Sequence, residues 1–468
     1  MHRRTSQRLD DRTSSDNSDE QTTRHRKIAV AVTLAIPFIL TIAYGGVDTW
    51  ALIPLSLLTL LAIVFSTLDS LKTGLLTFSS SPLQLPVGGL LVLAAFQLLP
   101  IADPGLSSEL PNVSASASLS MDASATSYFA IRLLFLLYFF TATLAILSTE
   151  KRIERIAVSV ITFGSIMAFV GILQRLASPE AIYGMRPSPQ AIPFGPFVNQ
   201  HHFAAFMEMT IGLTLAFLLS GSTKSDNKAL YLIALILMLI AVTMTGSRGG
   251  MISIFAVISI ALAASFFSRT EPRPDRERSI GPAIIVVVGA IVVIVGGAVV
   301  YLGGADLLVR GIGLQGDQSD PTSGRMHFWG IAWKIFLDHP VIGAGFDAFG
   351  VAFTRYDTWN GYFRIEQAHN DYLQMLADGG VIAFACIAAF IYLLVKLSLK
   401  QITSSDQKRR TIAIGAFAGC CGILVHSIFD FPLRTPSNSY FFLLLAALAT
   451  VDVGRAKAKL RRKRKKEL

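Results

Sequence analysis

A histidine at the start of a polar segment is the first candidate for acid–base chemistry. His369 and Asn370 open the stretch HNDYLQMLADGG, which reads as a helix that enters the next apolar run. Histidine can exchange a proton near neutral pH, so it suits a general base. A single histidine is more often structural than catalytic, but arginines surround this one in a loop, which favours catalysis. His201 and His202 are adjacent and distant in sequence, so a zinc site is only a weak alternative.

Charged side chains inside apolar runs form a second set of candidates. Such groups are costly in a bilayer and usually face a protein interior or a water-filled cavity. From the rise of a helix, five ionisable residues lie at one depth near one surface: Arg132, Glu208, Arg248, His426 and Asp430. They indicate a polar site that opens to that surface. Structural ion pairs, such as Glu208 with Arg248, are the alternative, and both interpretations can hold together.

The composition indicates that membrane-spanning segments position these residues. Of 468 residues, 52% are apolar and only 15% are charged, and the mean hydropathy is +0.54. These values exclude a disordered chain, a collagen and a small disulfide scaffold, and they indicate a membrane protein. The three cysteines lie inside apolar runs and are interpreted as packing residues. Runs long enough to cross a bilayer predict an all-α protein with about twelve transmembrane helices, near 28–46, 50–68, 85–101, 127–148, 156–176, 203–220, 229–246, 251–268, 281–302, 380–398, 411–430 and 438–453.

The distribution of basic residues predicts the orientation of these helices. With both termini in the cytoplasm, 31 of the 41 Lys and Arg residues lie on the inner side, and the net charge of +10 reflects that bias. The basic run at the end is therefore expected to contact anionic membrane lipids, and no nucleic acid is expected as a partner. The resulting division is a disordered cytoplasmic tail (1–27), spans 1–9 (28–302), a long outer loop with the catalytic motifs (303–379), spans 10–12 (380–453) and a basic cytoplasmic tail (454–468).

The long outer loop has its own periodicity. From Arg325 to Asp338 the apolar residues, with Trp329 among them, recur at intervals of three and four, which predicts an amphipathic helix. Gly343 and Gly345 lack the further glycine and the strand–helix context of a nucleotide loop. We therefore interpret them as tight-turn glycines.

Five short motifs, in order along roughly 127–450, carry a family resemblance. The chain resembles the O-antigen ligase and O-antigen polymerase superfamily of bacterial envelope glycosyltransferases. The motifs are the run from Pro193 to Ala204, Thr245 to Gly250, Ser323 to Arg325 with Trp329, Pro340 to Gly345, and His369-Asn370 with Gly379-Gly380. Where the family often has Arg-Asn-His, this chain has Asn199-Gln200-His201-His202, so which histidine corresponds stays open. The N-terminal third carries no motif of the family.

The resemblance implies a fold, a substrate and roles for individual residues. It implies a GT-C-like membrane fold in the bacterial inner (plasma) membrane, with the long loop in the periplasm. The implied reaction transfers a glycan from undecaprenyl diphosphate to a hydroxyl of lipid A-core or of a growing glycan, without a cofactor or a metal. The resemblance implies catalytic roles for His369, Arg325 and Arg248. The leaving diphosphate also needs fixed cations, for which Arg132 and Arg186 are further candidates. The remaining residues expected to bind substrate are Glu208, His202, Asn370 and Trp329.

Other functions stay open beside this one. A polytopic transporter for inorganic carbon or another small anion fits the span count, although no inverted pair of broken helices is visible. A protein O-oligosaccharyltransferase would need the same arginines and histidine. A purely structural scaffold would not explain five ionisable groups at one depth. Other polysaccharide-assembly proteins are expected as further partners of a ligase or polymerase.

Overall fold

The computed structural model describes residues 23–74, 78–101, 117–188, 191–221, 223–268, 324–359 and 365–453, and these residues are mostly helical. A short antiparallel hairpin pairs β1 (Ala181–Ile182) with β2 (Arg186–Pro187). The helices are α1 (Arg24–Ile42), α2 (Leu52–Thr73), α3 (Gln84–Gln97), α4 (Ala123–Ile146), α5 (Glu150–Ala177), α6 (Gln200–Leu219), α7 (Ser225–Thr245), α8 (Arg248–Phe267), α9 (Arg325–Asp338), α10 (Phe349–Thr354), α11 (Asp371–Ile402), α12 (Gln407–His426) and α13 (Pro436–Thr450).

Eight helical segments within the described residues are long and apolar enough to cross a membrane, which supports a multi-pass membrane protein. Three further predicted spans coincide with α3, α12 and α13, but α3 and α13 have only 14 and 15 residues. At 1.5 Å per residue such helices are shorter than a bilayer core of about 30 Å. Helix α12 has 20 residues, but its first turn carries the three charges of Lys408, Arg409 and Arg410, which makes the helix less apolar than a typical span. The predicted span at 281–302 lies outside the described residues, so the count of twelve stays a prediction.

The ends of the chain and the predicted long loop are described only in part. Helix α1 begins at Arg24, before the predicted boundary at 27, because the Thr23 side chain accepts a hydrogen bond from the backbone N–H of Arg26. The remainder of the predicted N-terminal tail, the predicted C-terminal tail and residues 303–323 lie outside the described residues. The predicted division into parts therefore stays largely a prediction.

Helix α6 forms the centre of the bundle. Every residue from His202 to Leu218 is buried, and α6 packs against α7, α8 and α12. It crosses α12 where a Cβ on Gly212 would lie 2.6 Å from the carbonyl oxygen of Gly415 and from the amide of Gly419. Small residues at such a crossing let two membrane helices approach closely. The side chains of α6 therefore lie inside the protein, including the charged group of Glu208.

Helix α11 bends at Gly380, where φ is +61° and the helical dihedrals are interrupted. The segment from Pro340 to Gly345 packs into this bend, and the amide of Val381 donates to the carbonyl of Pro340 at 2.8 Å. A Cβ on Gly343 would lie 2.2 Å from the backbone of Asp378, so only glycine fits there. This packing confirms that the glycines of this segment serve tight backbone approach.

Candidate functional site

Several helix N-termini meet at one end of the bundle. Asn199, Ser247 and Asn370 are the N-cap residues of α6, α8 and α11, and each side chain accepts a hydrogen bond from a backbone N–H in the first turn. Asn, Ser, Asp and Thr favour such positions because a short side-chain oxygen satisfies an otherwise free donor. The Oγ of Ser247 also lies 2.9 Å from Nδ1 of His201 and joins α8 to α6. Converging N-termini create a positive potential that suits a bound anion.

His369 lies at this convergence and is held by Asp430. Its Nδ1 is 3.1 Å from Oδ1 of Asp430, whose side chain is 2% exposed, whereas that of His369 is 34% exposed. A carboxylate oxygen accepts, so in the neutral imidazole this contact selects the tautomer in which Nδ1–H donates and Nε2 keeps its lone pair. The second carboxylate oxygen, Oδ2, is buried without a hydrogen-bond partner among the described residues.

The backbone at His369 is strained in a way that fixes its side chain. Its φ is +51°, in the left-handed region that non-glycine residues rarely adopt. The neighbouring backbone is held in place by two hydrogen bonds. The amide of Ala368 donates to Oε1 of Gln374 at 2.6 Å, and the amide of Asp371 donates to the carbonyl of Ser427 at 2.9 Å. Strain of this kind persists where the surroundings determine the conformation, often at functional sites.

Glu208 pairs with His426 inside the bundle. Its Oε1 lies 2.8 Å from Nδ1 of His426, and the two side chains are 0% and 1% exposed. The alternative ion pair considered from the sequence, Glu208 with Arg248, is replaced by this one. A Cβ on Gly249 would lie 3.0 Å from the His426 ring, so the start of α8 packs directly on it. The carboxyl Oε2 of Glu208 has no hydrogen-bond partner among the described residues.

His202 and His369 both pack against the ring of Phe431. The Phe431 ring packs edge-on against both imidazoles, at centroid distances of 4.9 Å and 4.8 Å. Nδ1 of His202 is 2.7 Å from Oγ1 of Thr435, and its buried Nε2 has no partner in the part of the chain that is described. Because His201 and His202 both belong to this region, the structure leaves the correspondence between them and the family's histidine open.

Helix α9 brings Arg325 and Trp329 to the same region. The predicted helix from Arg325 to Asp338 is confirmed with those bounds, and its N-cap is Gly324. Arg325 is the first residue of this helix, and the Phe328 ring, in the first turn, lies 6.2 Å from the ring of His369. Nε1 of Trp329 is buried without a hydrogen-bond partner among the described residues.

The two remaining predicted arginines make other contacts. Nη1 of Arg132 lies 3.6 Å from Oδ2 of Asp347, and its Nη2 donates to the carbonyl of Arg434 at 3.2 Å. Arg186 pairs with Asp48 at 2.6 Å and lies 4.9 Å above the ring of Tyr44. Their role in binding a diphosphate stays a prediction.

A cavity of about 230 Å³ has Arg132 in its wall and lies among α2, α3, α4, α11, α12 and α13. Its walls are mostly apolar, and its polar end includes Arg132, Asp371 and Ser427. Asp371 directly follows Asn370, and Ser427 directly follows His426. The polar end of the cavity is therefore built next to the cluster of histidines.

Sequence reasoning missed Arg434 as a structural centre. Its guanidinium, with a side chain only 12% exposed, pairs with Asp347 and, at 2.6 Å, with Oδ2 of Asp378, and it thereby joins the segment between α12 and α13 to α11 and to the loop after α9. Spacing gave no signal, because the partners are 56 and 87 residues away. Ser247, Phe431 and Thr435 were missed for the same reason. Among the described residues, no group of three or more His, Cys, Asp or Glu side chains is arranged to hold a metal ion.

Comparison with known proteins supports the interpretation of the motifs. Residues 233–388, about one third of the chain, match the family model described as O-antigen ligase. This match confirms the resemblance to the O-antigen ligase and polymerase superfamily and supports a membrane glycosyltransferase-like function in O-antigen assembly. Arg248, Arg325 and His369 lie inside the matched range, whereas Glu208 and Asp430 lie outside it. A search of curated proteins returned no match.

Proposed function

We propose that this chain, with its O-antigen ligase region at residues 233–388, transfers a glycan from undecaprenyl diphosphate to an acceptor hydroxyl. The observation that carries the proposal is the pair of His369 and Asp430 at a convergence of helix N-termini, against which α9, the helix that begins at Arg325, packs through Phe328. A histidine base needs a partner that fixes its tautomer, and an anionic leaving group needs fixed positive charge. Asp430 would be that partner, and the helix N-termini with Arg325 would supply that charge.

The proposed step moves one proton from the acceptor to His369 and replaces the sugar–diphosphate bond with a sugar–acceptor bond. The acceptor hydroxyl gives its proton to Nε2 of His369 as its oxygen forms a bond to the anomeric carbon of the donor sugar. The bond between that carbon and the diphosphate oxygen breaks, and its electron pair stays on the diphosphate. Asp430 orients the imidazole through Nδ1–H and stabilises the imidazolium that forms.

Arginines would stabilise the leaving diphosphate. Arg248 and Arg325 are the first residues of α8 and α9, so their charges add to the positive ends of these helices. A guanidinium is always charged and matches phosphate oxygens with two parallel donors. The step as proposed requires no metal and no cofactor, since arginines and helix ends supply the charge.

The other predicted substrate-binding residues are proposed to act around this centre. Asn370 would keep His369 in position as the N-cap of α11. Nε2 of His202 and Oε2 of Glu208, which have no hydrogen-bond partner among the residues that the structure describes, would contact substrate hydroxyls directly or through water. Trp329, Arg132 and Arg186 would contact the glycan or the diphosphate. The apolar cavity below Arg132 has the lining that the hydrocarbon chain of a lipid-linked donor requires.

The proposed setting is the periplasmic face of the bacterial inner membrane, with both termini in the cytoplasm and anionic lipids bound to the basic tail. Acceptors from lipid A-core, growing polysaccharide or a protein hydroxyl would use the same histidine and arginines. Other polysaccharide-assembly proteins would be partners in the first two cases. Residue chemistry does not separate the acceptors.

Glycan analysis of a strain that lacks the gene tests this proposal. Loss of attached long chains with accumulation of lipid-linked polymer identifies a ligase, and products of a single repeat identify a polymerase. Loss of protein glycosylation identifies an oligosaccharyltransferase. Unaltered glycans with lost uptake of an inorganic anion would contradict the proposal and establish the transporter.

A further inference from the structure

Trp359 is an exposed tryptophan near His369, and its ring is held in place by a neighbouring aromatic ring. The indole of Trp359 stacks on the imidazole of His327 with a centroid distance of 4.2 Å and an interplanar angle of 4°. Trp359 nevertheless keeps 52% of its surface exposed. One ring is thus fixed against α9 while much of its surface remains available.

A single carboxylate oxygen holds both parts of this stack. Oδ1 of Asp357 lies 2.9 Å from Nε2 of His327 and accepts the backbone N–H of Trp359 at 3.1 Å. The hydrogen bond from His327 is the main reason that the pKa of the Asp357 carboxyl lies below its usual range, so this acceptor stays ionised. The ring and its backbone are therefore oriented before any ligand arrives, which lowers the entropic cost of binding.

The stack lies beside the candidate catalytic centre. The Trp359 ring is 5.8 Å from the ring of Phe328, which in turn is 6.2 Å from the ring of His369. A Cβ on Gly324 would lie 2.9 Å from the Trp359 ring, so the N-terminus of α9 also approaches it closely. The exposed indole is thus two ring contacts from His369 and next to the residue that precedes Arg325.

We propose that Trp359 is a stacking platform for one pyranose ring of the glycan that occupies the site. This inference rests on the proposed transferase function and adds a sugar subsite to it. A pyranose presents an apolar C–H face, and a rigid indole offers a large contact area with little entropy to lose. A tryptophan that only anchors a protein in lipid headgroups needs an interfacial position and no such fixed orientation. The combination of a held ring and proximity to His369 favours the glycan as the occupant.

The test compares Trp359→Ala and Trp359→Phe with Trp333→Ala in the full-length protein in nanodiscs. Trp333 is a matched control because it lies on α9, the helix that carries His327, is 47% exposed and packs on Phe336. The probe is the free oligosaccharide released by mild acid from the host's lipid-linked glycans, and binding is measured by saturation-transfer NMR. We expect about tenfold weaker binding for Trp359→Ala, partial recovery for Trp359→Phe and no change for Trp333→Ala.

Two further measurements separate the outcomes. In transfer assays, Trp359→Ala should raise the glycan KM by a similar factor while kcat changes little, since His369 is untouched. Brominated lipids should quench the fluorescence of Trp359 weakly. Unchanged oligosaccharide binding by Trp359→Ala would overturn the proposal. Strong quenching by the brominated lipids in addition would identify Trp359 as a lipid anchor. His369→Ala should still bind the oligosaccharide, so a failure of transfer chemistry is distinguishable from a failure of this subsite.

Discussion

Nδ1 of His369 lies 3.1 Å from Oδ1 of Asp430, although α11 and α12 separate the two residues in sequence. The partly exposed imidazole and the buried carboxylate form a dyad in which Nδ1 is held by Asp430 and Nε2 is the other nitrogen of the ring. The action of His369 as a base is therefore expected to depend on Asp430.

Replacing Asp430 with Asn should reduce transfer by about 100-fold or more, because an amide does not hold the required tautomer or stabilise the imidazolium. The measurement is the rate of glycan transfer from a lipid-linked donor by purified protein. Asp430→Glu is the matched variant, since it keeps the charge and should retain part of the activity. Full activity in Asp430→Asn, with unchanged thermal unfolding, would argue against the dyad.

Replacing Arg325 with Ala should lower kcat by about 100-fold, because one fixed donor to the leaving diphosphate is lost. Arg325→Lys should recover only part of this loss, since an ammonium does not form the paired hydrogen bonds of a guanidinium. Lys334→Ala is the control, because it removes one positive charge from an exposed position of the same helix. Equal losses in both alanine variants would mean that only the net charge of α9 matters.

Replacing Glu208 with Ala should destabilise the protein by about 3 kcal/mol, since it leaves His426 buried without its partner. Thermal unfolding of the detergent-solubilised protein measures this effect. The double variant with His426→Ala should lose clearly less than the sum of the two single variants. Additive losses would show that the two side chains are not energetically coupled.

Replacing Gly380 with Ala should cost roughly 2 kcal/mol, because φ is +61° there and a Cβ would lie 2.4 Å from the carbonyl oxygen of Val341. Gly330→Ala is the matched control, since it lies within α9 with nothing within 4 Å of the added Cβ. In the control, better helix propensity should stabilise the protein by about 0.5–1 kcal/mol. We therefore expect the midpoint of thermal unfolding to fall for Gly380→Ala and to rise for Gly330→Ala. An unchanged midpoint for Gly380→Ala would contradict the bend at this residue.

Local patterns allowed part of this structure to be predicted from the sequence. The helix from Arg325 to Asp338 follows from its periodicity, and the tight role of Gly343 and Gly345 follows from their residue type. These features depend on near neighbours along the chain. The position of each residue along its helix also predicted that Glu208 and His426 lie at the same depth, where the structure shows them in contact.

Partners distant in sequence could not be predicted in the same way. The choice of His426 over Arg248 for Glu208 depends on how α6 and α12 are rotated about their axes, which hydropathy does not fix. Arg434 and its aspartates are joined by the folding of three separate segments. The short α13 was predicted as a full span because its residues are apolar, but that composition also suits a helix buried by its neighbours.

The most direct test of the central claim is the transfer rate of purified His369→Ala, measured with a lipid-linked glycan donor and compared with the wild type at equal donor occupancy. We expect that donor binding and thermal unfolding stay near the wild-type values while transfer becomes undetectable. Transfer at the wild-type rate by the His369→Ala protein would contradict it.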